Sequence, residues 1–226
     1  MTTRSDIQPY AVFDFDGTVL DGHSPVMLVA MLFSAHAMPI RTGLSIALWG
    51  LRYKLRLPHD QQVVRQRIFN LFRGRPATEI DGMMERFYHD VIAKHVRPAA
   101  RREIAGYRER DIPVVICSAS FDSIVKYAAR DLGVTAQLST KMEVVDGVYT
   151  GRLDGAPVEG LGKRSAFVSY ADRENGPGRW TLLAAYGDHY SDERLLELAE
   201  HPVAVDPDSR LRRIARRRGW EVRQWR

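Results

Sequence analysis

Two aspartates two positions apart follow the first strongly apolar run of the chain, residues 10–13. Asp14 and Asp16 offer carboxylates that suit metal binding or group transfer. Gly17 then lets the backbone turn and approach a ligand closely, and Thr18 adds a hydroxyl. A turn without any chemistry would show the same residue types. The interpretation therefore depends on which other side chains the fold brings to this place.

Three further segments place polar side chains where they can join this pair. Ser118 and Asp188 each directly follow an apolar run that is typical of a strand. Asp192 lies one helical turn beyond Asp188, and Lys163 lies between these segments in a Gly-Leu-Gly-Lys sequence. Alone, each residue has a plainer explanation: a helix cap, a strand end or a solvated lysine. Because ligand sites in open α/β sheets lie at the carboxyl ends of the strands, all of them together predict one functional site.

The elements that must position these side chains alternate between strand and helix. Apolar runs bounded by polar loops predict parallel strands at 10–15, 112–117, 134–138, 181–186 and 203–205. Helical patterns separate them, at 99–110, 121–131, 164–173 and 192–199. This alternation predicts an α/β fold with a parallel sheet and helices on both faces. One segment differs, since the alternation of 141–153 around Asp146 and Gly147 predicts a β-hairpin.

The connection between the first two strands is far longer than a crossover requires. Most of it has helical patterns, at 25–37, 43–53, 60–71 and 78–95. We therefore expect two domains: a core formed by residues 1–20 and 99–226, and an all-helical insertion at 21–98 that lies over the sheet.

These segments, in this order, resemble the four motifs of the haloacid dehalogenase-like (HAD) hydrolase superfamily. The motifs are Asp14-Phe15-Asp16-Gly17-Thr18, then Ser118, then Lys163, then Gly187-Asp188-His189-Tyr190-Ser191-Asp192. The helical insertion resembles the C1 cap of subfamily IB, the phosphoserine phosphatase-like branch. The resemblance implies a three-layer, Rossmann-like core and a Mg²⁺-dependent phosphomonoester hydrolase that acts through a phospho-aspartyl intermediate on a small phosphorylated metabolite.

The resemblance also implies a role for each matched residue. Asp14 is the expected nucleophile, since a carboxylate with an ordinary pKa near 4 is ionised at pH 7. Asp16 is the expected general acid and base. Asp14, Asp188 and the backbone carbonyl of Asp16 would bind Mg²⁺, while Asp192 would hold metal-bound waters or orient Lys163. The expected phosphate-binding residues are Thr18, Ser118, Ala119 and Lys163.

The substrate is less well defined by the sequence. Phosphoserine phosphatases usually have a serine after the second aspartate, a glutamate nine residues after the first and a Ser-Gly-Gly second motif. Here these places hold Gly17, His23 and Ser118-Ala119-Ser120, which disfavours phosphoserine. His23 is a candidate specificity residue, with a loop histidine that does not touch substrate as the alternative.

Two apolar stretches in the insertion, 26–33 and 44–51, are followed by Arg52, Lys54 and Arg56. This layout resembles the phosphatidylglycerophosphatase C type of the same branch, so a lipid phosphate is the alternative substrate, although apolar stripes are more often bundle core. Three further alternatives remain open: a non-catalytic regulatory or binding protein with this fold, a haloacid dehalogenase proper, and a mutase-like phosphotransferase. The two carboxylates Asp16 and Asp188, which dehalogenation does not require, disfavour the dehalogenase.

Composition and charge narrow the partners and the location. The net charge of +5 comes largely from an arginine-rich segment near the end of the chain, at 210–226. A solvated helix face explains it better than nucleic-acid binding, since no zinc-ligand spacing or RNA-binding signature accompanies it. The longest apolar stretch, 26–35, is too short to span a membrane, and contact with a membrane surface is not favoured. A single cysteine, Cys117, and the absence of a signal-peptide layout in residues 1–9 favour the cytoplasm. The oligomeric state stays open.

Overall fold

The computed structural model describes residues 7–34 and 61–225 of the chain. Within them, seven strands form one sheet: β1 (Gln8–Phe13), β2 (Val114–Phe121), β3 (Ala136–Val145), β4 (Val148–Asp154), β5 (Trp180–Gly187), β6 (His201–Val205) and β7 (Glu221–Arg223). Their order is β4-β3-β2-β1-β5-β6-β7. Every neighbouring pair is parallel except β3 and β4. The predicted α/β fold is confirmed.

Helices cover both faces of this sheet. They are α1 (Ser24–Ser34), α2 (Gln61–Phe72), α3 (Ala77–Asp90), α4 (Pro98–Arg108), α5 (Asp122–Leu132), α6 (Leu161–Asn175), α7 (Glu193–Leu196) and α8 (Ser209–Arg218). Successive strand residues point to opposite faces. On β1, Ala11 and Phe13 pack in the core that includes α1 to α5, and Tyr10 and Val12 pack in the core that includes α6 to α8. The architecture therefore has three layers.

The segment between β1 and β2 contributes α1 to α4, with α3 packed against α5 and α2 against β4. The helix predicted at 43–53 lies outside the described residues. The single helix predicted at 78–95 is wrong in its last turns, because α3 ends at Asp90 and a short 3₁₀ helix, Ile92–His95, follows. The change of helix type leaves Ile92 fully buried before the chain enters α4 at Pro98.

Two other sequence predictions need correction, and one strand was missed. The strand at 134–138 and the first arm of the hairpin are one long strand, β3, which pairs with β2 in its first half and with β4 in its second. The helix at 192–199 is a 3₁₀ turn, Tyr190–Asp192, followed by the short α7. Strand β7 was not predicted, since three residues are too few to show an apolar pattern. The hairpin itself is confirmed, because Asp146 and Gly147 both have positive φ, as a two-residue turn of this type requires.

Two consequences of this architecture matter for function. The carboxyl ends of β1, β2 and β5 lie side by side, so residues that follow these strands meet at one edge of the sheet. The helices α1 and α2 belong to the core on one face of that same sheet. Among the described residues, no helix combines the length and the apolar character needed to cross a membrane.

Candidate active site

The loop after β1 packs against the loop after β5. The Asp14 amide donates a hydrogen bond of 2.9 Å to the Tyr186 carbonyl, and the Asp14 side chain is 7% exposed. Gly17 has φ +80°, and a Cβ at this position would lie 2.2 Å from Asp188 Oδ2. Only glycine fits here, since both the backbone conformation and the space exclude a side chain. The glycine thus allows the Asp188 side chain to approach the loop that carries Asp14.

A buried lysine joins two of the carboxylates. Lys163 lies in the first turn of α6, and its Nζ is 2.5 Å from Asp14 Oδ1 and 2.6 Å from Asp192 Oδ1. All three side chains are nearly inaccessible to solvent. Burial opposes the charge of this lysine, but the two neighbouring carboxylates raise the pKa of Lys163 above its usual value. The ammonium group is therefore a fixed positive charge at the edge of the sheet.

Three carboxylates form a group that could hold a metal ion. Single oxygens of Asp14, Asp188 and Asp192 all lie within 4.8 Å of one another. Burial, followed by the charges of Asp14 and Asp192, raises the pKa of Asp188 well above its usual value. A divalent cation would relieve this repulsion, and carboxylate oxygens are the ligands that Mg²⁺ prefers. The donor set fits the predicted metal.

Burial also changes the expected ionisation of Asp14. It raises the pKa of Asp14 to about 7, although the charge of Lys163 opposes the shift. In the metal-free protein, burial therefore works against the full ionisation at pH 7 that an ordinary pKa would give this carboxylate. The physical reason is the loss of solvation at a nearly closed site, which one lysine shared between two carboxylates does not offset.

Asp16 has both carboxylate oxygens engaged. The Ser24 amide, at the start of α1, donates a hydrogen bond of 2.5 Å to Oδ1, and the Ser120 hydroxyl donates to Oδ2. The two serine hydroxyls are 3.0 Å apart. The contacts of Ser24 and Ser120 with Asp16 were not predicted. A signal for Ser24 exists, because serine directly before a proline is a common start of a helix.

The predicted phosphate-binding residues separate into two groups. Ser118 and Ala119 line the same cavity as Asp14 and Lys163, and the Ser118 hydroxyl accepts a hydrogen bond of 3.0 Å from the Ser120 amide. Thr18 is fully buried and is absent from the cavity lining. Its hydroxyl lies 3.5 Å from Asp188 Oδ1. The structure does not bring Thr18 to the cavity, and its contact is with a carboxylate instead.

Two histidines also line this cavity. His189 Nδ1 lies 2.9 Å from the Ser191 hydroxyl, and its Nε2 lies 3.6 Å from Asp208 Oδ2. Burial lowers the pKa of His189 against the charges of Asp192 and Asp208. Burial likewise lowers the pKa of His23 against the charge of Asp16. The structure therefore brings the candidate specificity residue His23 to the cavity, and adds His189, which the sequence placed only within a motif.

Comparisons with known proteins identify the family of this chain. The family profile described as haloacid dehalogenase-like hydrolase matches residues 11–197. The chain belongs to this family. Phosphoserine phosphatase SerB1 of Mycobacterium tuberculosis is 33% identical over 224 residues, which span 98% of this chain and 72% of that protein.

Solved structures show the same fold. A protein of unknown function from Bordetella pertussis Tohama I is 26% identical, with a TM-score of 0.84 over 96% of this chain and 98% of that one. A phospho-aspartyl intermediate analogue of phosphoserine phosphatase is 18% identical, with a TM-score of 0.62 over 96% of this chain and 92% of that one. The family model shows a HAD-like hydrolase, and the relative SerB1 is named a phosphoserine phosphatase.

The residues that line the cavity form two chemically different groups. We call one group the polar floor, which consists of Asp14, Asp16, Ser118, Lys163, Asp188 and Asp192. We call the other group the apolar wall, which consists of Pro25, Leu28, Ile68, Phe69, Phe121 and Ile124. The floor comes from the carboxyl ends of the strands and from α6. The wall comes from α1, α2 and the junction of β2 with α5.

Proposed function

We propose that this chain is a Mg²⁺-dependent phosphomonoester hydrolase that acts on a small phosphorylated molecule through a phospho-aspartyl intermediate on Asp14. One observation carries the proposal. At the polar floor of one cavity, Lys163 pairs with Asp14 and Asp192, and oxygens of Asp14, Asp188 and Asp192 lie within 4.8 Å of one another. A charged nucleophile, a fixed cation and a cation site are the parts that phosphoryl transfer requires.

The metal site would use side-chain oxygens of Asp14 and Asp188 and the backbone carbonyl of Asp16. When bound, Mg²⁺ supplies positive charge that offsets the repulsion between a carboxylate and a phosphate. Because a bound cation favours the charged form of its ligands, it also favours ionised Asp14, whose pKa burial raises in the metal-free protein. Asp192 remains hydrogen-bonded to Lys163 and holds its ammonium group in place.

The first half of the reaction transfers the phosphoryl group to Asp14. A carboxylate oxygen of Asp14 bonds to phosphorus while the ester oxygen–phosphorus bond breaks. The departing alkoxide takes the proton of Asp16 and leaves as the alcohol. Lys163 and the Ser118 hydroxyl, with the Ala119 amide, stabilise charge on the phosphoryl oxygens. Ser24 and Ser120 hold the Asp16 carboxyl in position for the proton transfer.

The second half regenerates the enzyme. Asp16, now ionised, takes a proton from water, and the water oxygen bonds to phosphorus as the Asp14 oxygen–phosphorus bond breaks. Inorganic phosphate leaves, and both aspartates return to their starting states. The net reaction consumes one ester and one water and yields one alcohol and one phosphate. Residues 21–98 would act as a cap that excludes bulk water from the aspartyl phosphate during this sequence.

The experiment is hydrolysis of a small aryl phosphate with Mg²⁺ by the wild type and by Asp14→Asn. Asparagine keeps the shape of the side chain and removes the charge that attacks phosphorus. We expect kcat to fall by several orders of magnitude, on the order of 10³-fold or more. Asp21→Asn is the control, since this aspartate follows in the same loop but is 72% exposed. It should keep kcat within about twofold.

Two outcomes would overturn the proposal. If Asp14→Asn keeps more than about a tenth of the wild-type kcat, the nucleophile is wrong. If the wild type hydrolyses no phosphate monoester with Mg²⁺, the chain is a binding or regulatory member of the family instead. Full activity in excess chelator would remove the metal from the scheme and leave the nucleophile to be tested separately.

A further inference from the structure

The apolar wall lines the same cavity as the atoms proposed to carry out the phosphoryl transfer, and most of the accessible lining of that cavity is apolar. The alcohol portion of a substrate that places its phosphate on the polar floor therefore has mainly apolar surface to lie against. The wall has contributions from three separate parts of the chain, α1, α2 and the β2–α5 junction. No carboxylate or ammonium group belongs to it among the residues that the structure describes.

The wall is packed and preformed. Leu28, Phe69 and Ile124 are all at most 3% exposed, so the cavity meets side chains that neighbouring residues already hold in place. The Phe69 ring lies 5.8 Å from the Phe121 ring. Phe121 also contacts Tyr149 at 5.9 Å between ring centroids. A packed apolar surface favours an apolar ligand, because burying apolar area against it stabilises the complex.

The charges in the described lining are already used. Among the described residues that line the cavity, Lys163 is the one lysine or arginine, and its ammonium group lies between Asp14 and Asp192. The carboxylates of that lining all belong to the polar floor. An amino-acid leaving group would need a further carboxylate for its ammonium group and a further cation for its carboxylate. The remaining polar lining consists of hydroxyls and two imidazoles, which do not match that pair of charges.

We propose that the apolar wall is the leaving-group subsite and that the substrate is a phosphate monoester of an alcohol with an apolar body. This inference rests on the proposed phosphohydrolase function and specifies its substrate class. The wall binds the carbon chain or ring that begins next to the ester oxygen. A membrane-borne lipid phosphate and a soluble alkyl or aryl phosphate share this chemistry. Phosphoserine does not have it, although the relative SerB1 is named for phosphoserine.

The test is kcat/KM for a series of n-alkyl phosphates from methyl to hexyl, with O-phosphoserine and phosphoethanolamine alongside, all with Mg²⁺. We expect kcat/KM to rise roughly threefold per methylene until the wall is covered. O-Phosphoserine should be poorer than propyl phosphate, which has a similar size. A flat series, or O-phosphoserine better than every alkyl phosphate, would overturn the inference.

A matched pair of variants assigns the effect to the wall. Phe69 and Phe72 lie on the same helix, and both rings pack near Phe121, at 5.8 and 6.0 Å between centroids. Only Phe69 lines the cavity. Phe69→Ala should remove most of the dependence on chain length, while Phe72→Ala should retain it, each relative to methyl phosphate. Equal dependence in the two variants would contradict the assignment. If either alanine variant fails to fold, Phe69→Leu and Phe72→Leu make the same comparison.

The same series separates failure of the inference from failure of the proposed function. If methyl phosphate is hydrolysed in an Asp14-dependent way but chain length has no effect, only the subsite is wrong. If no member is hydrolysed, both are wrong. Dodecyl phosphate in detergent micelles distinguishes the two sources. A further rise in kcat/KM assigns the substrate to a lipid surface, a plateau at hexyl phosphate assigns it to a soluble compound, and both support the subsite.

Discussion

The polar floor and the apolar wall of the cavity are held together by different forces. On the floor, Lys163 lies within 2.6 Å of two buried carboxylates, and the arrangement depends on the balance of charges. On the wall, Phe69 and Phe121 pack ring against ring, and the arrangement depends on apolar burial. On the proposed function, the floor would govern how fast phosphorus reacts, and the wall would govern which alcohol portion is accepted. Changes to the floor should slow every substrate, and changes to the wall should alter the ratio between substrates.

After Asp14→Asn, the largest effect should come from Asp16→Asn. The amide cannot donate a proton to the leaving alkoxide, so kcat on an alkyl phosphate should fall about 10²- to 10⁴-fold. Nitrophenyl phosphate should lose much less, because its phenolate leaves without a proton. Ser120→Ala removes one hydrogen bond to Asp16. It should also lower kcat more on the alkyl phosphate than on nitrophenyl phosphate, but with smaller losses than Asp16→Asn. Equal losses on both substrates would mean that Asp16 maintains the floor and does not transfer the proton.

Lys163→Met should produce the next largest effect, and it should act on all substrates alike. Loss of this charge should lower kcat about 10²- to 10³-fold, as for other single electrostatic groups in active sites. The free energy of unfolding in chelator should fall by about 3–5 kcal/mol, because two buried carboxylates lose their partner. Lys126→Met is the control, since Lys126 pairs with Asp81 at a partly exposed position. A loss of kcat confined to large substrates would assign Lys163 to the choice of alcohol and not to phosphoryl transfer.

The stabilisation of the protein by Mg²⁺ should depend on pH. Asp14 binds its proton more tightly in the folded protein, with a pKa of about 7 against an ordinary 3.8. The contribution of Asp14 to the free energy of unfolding is thus greatest at low pH, and it is lost as pH rises from about 4 to about 7. Mg²⁺ competes with that proton, so it should raise Tm by several degrees at about pH 8 and little at about pH 5. Asp14→Asn should reduce this difference, and equal shifts at both pH values would contradict the linkage.

The smallest predicted effect concerns His23, at the border between floor and wall. His23 lines the cavity, and the Asp16 charge acts on it, yet it precedes α1, which carries the wall residue Leu28. If it contacts the leaving group, His23→Ala should change kcat/KM several-fold on the best alkyl phosphate and hardly at all on methyl phosphate. Equal losses on the two substrates would assign His23 to the chemistry or the fold and remove it from specificity.

Sequence reasoning located most of the floor because its residues follow a rule of position. Polar residues directly after apolar strands meet at one edge of a parallel sheet, and Asp14, Ser118 and Asp188 are such residues. Lys163 comes from a helix and was identified through the order of the motifs. The fold was predicted for the same reason, since strand and helix periods alternate clearly along the chain.

The other features depend on contacts that no local pattern encodes. Ser24 and Ser120 meet at Asp16 only after the fold has closed. The pKa of Asp14 depends on burial, which its neighbours in sequence do not determine. Only part of the wall was anticipated, through the apolar stretch 26–33 that contains Leu28. The rest was not, because apolar residues on helices such as Ile68 have the same pattern whether they fill a core or line a cavity.

The central claim, that a carboxylate of the protein attacks phosphorus, is tested most directly by the stereochemistry at phosphorus. The measurement uses an isotopically chiral thiophosphate monoester hydrolysed in heavy-oxygen water with Mg²⁺. Each in-line displacement inverts phosphorus, so transfer to Asp14 followed by transfer to water predicts overall retention of configuration. Inversion would mean a single displacement by water, with no phospho-aspartyl intermediate on Asp14, and would contradict the account.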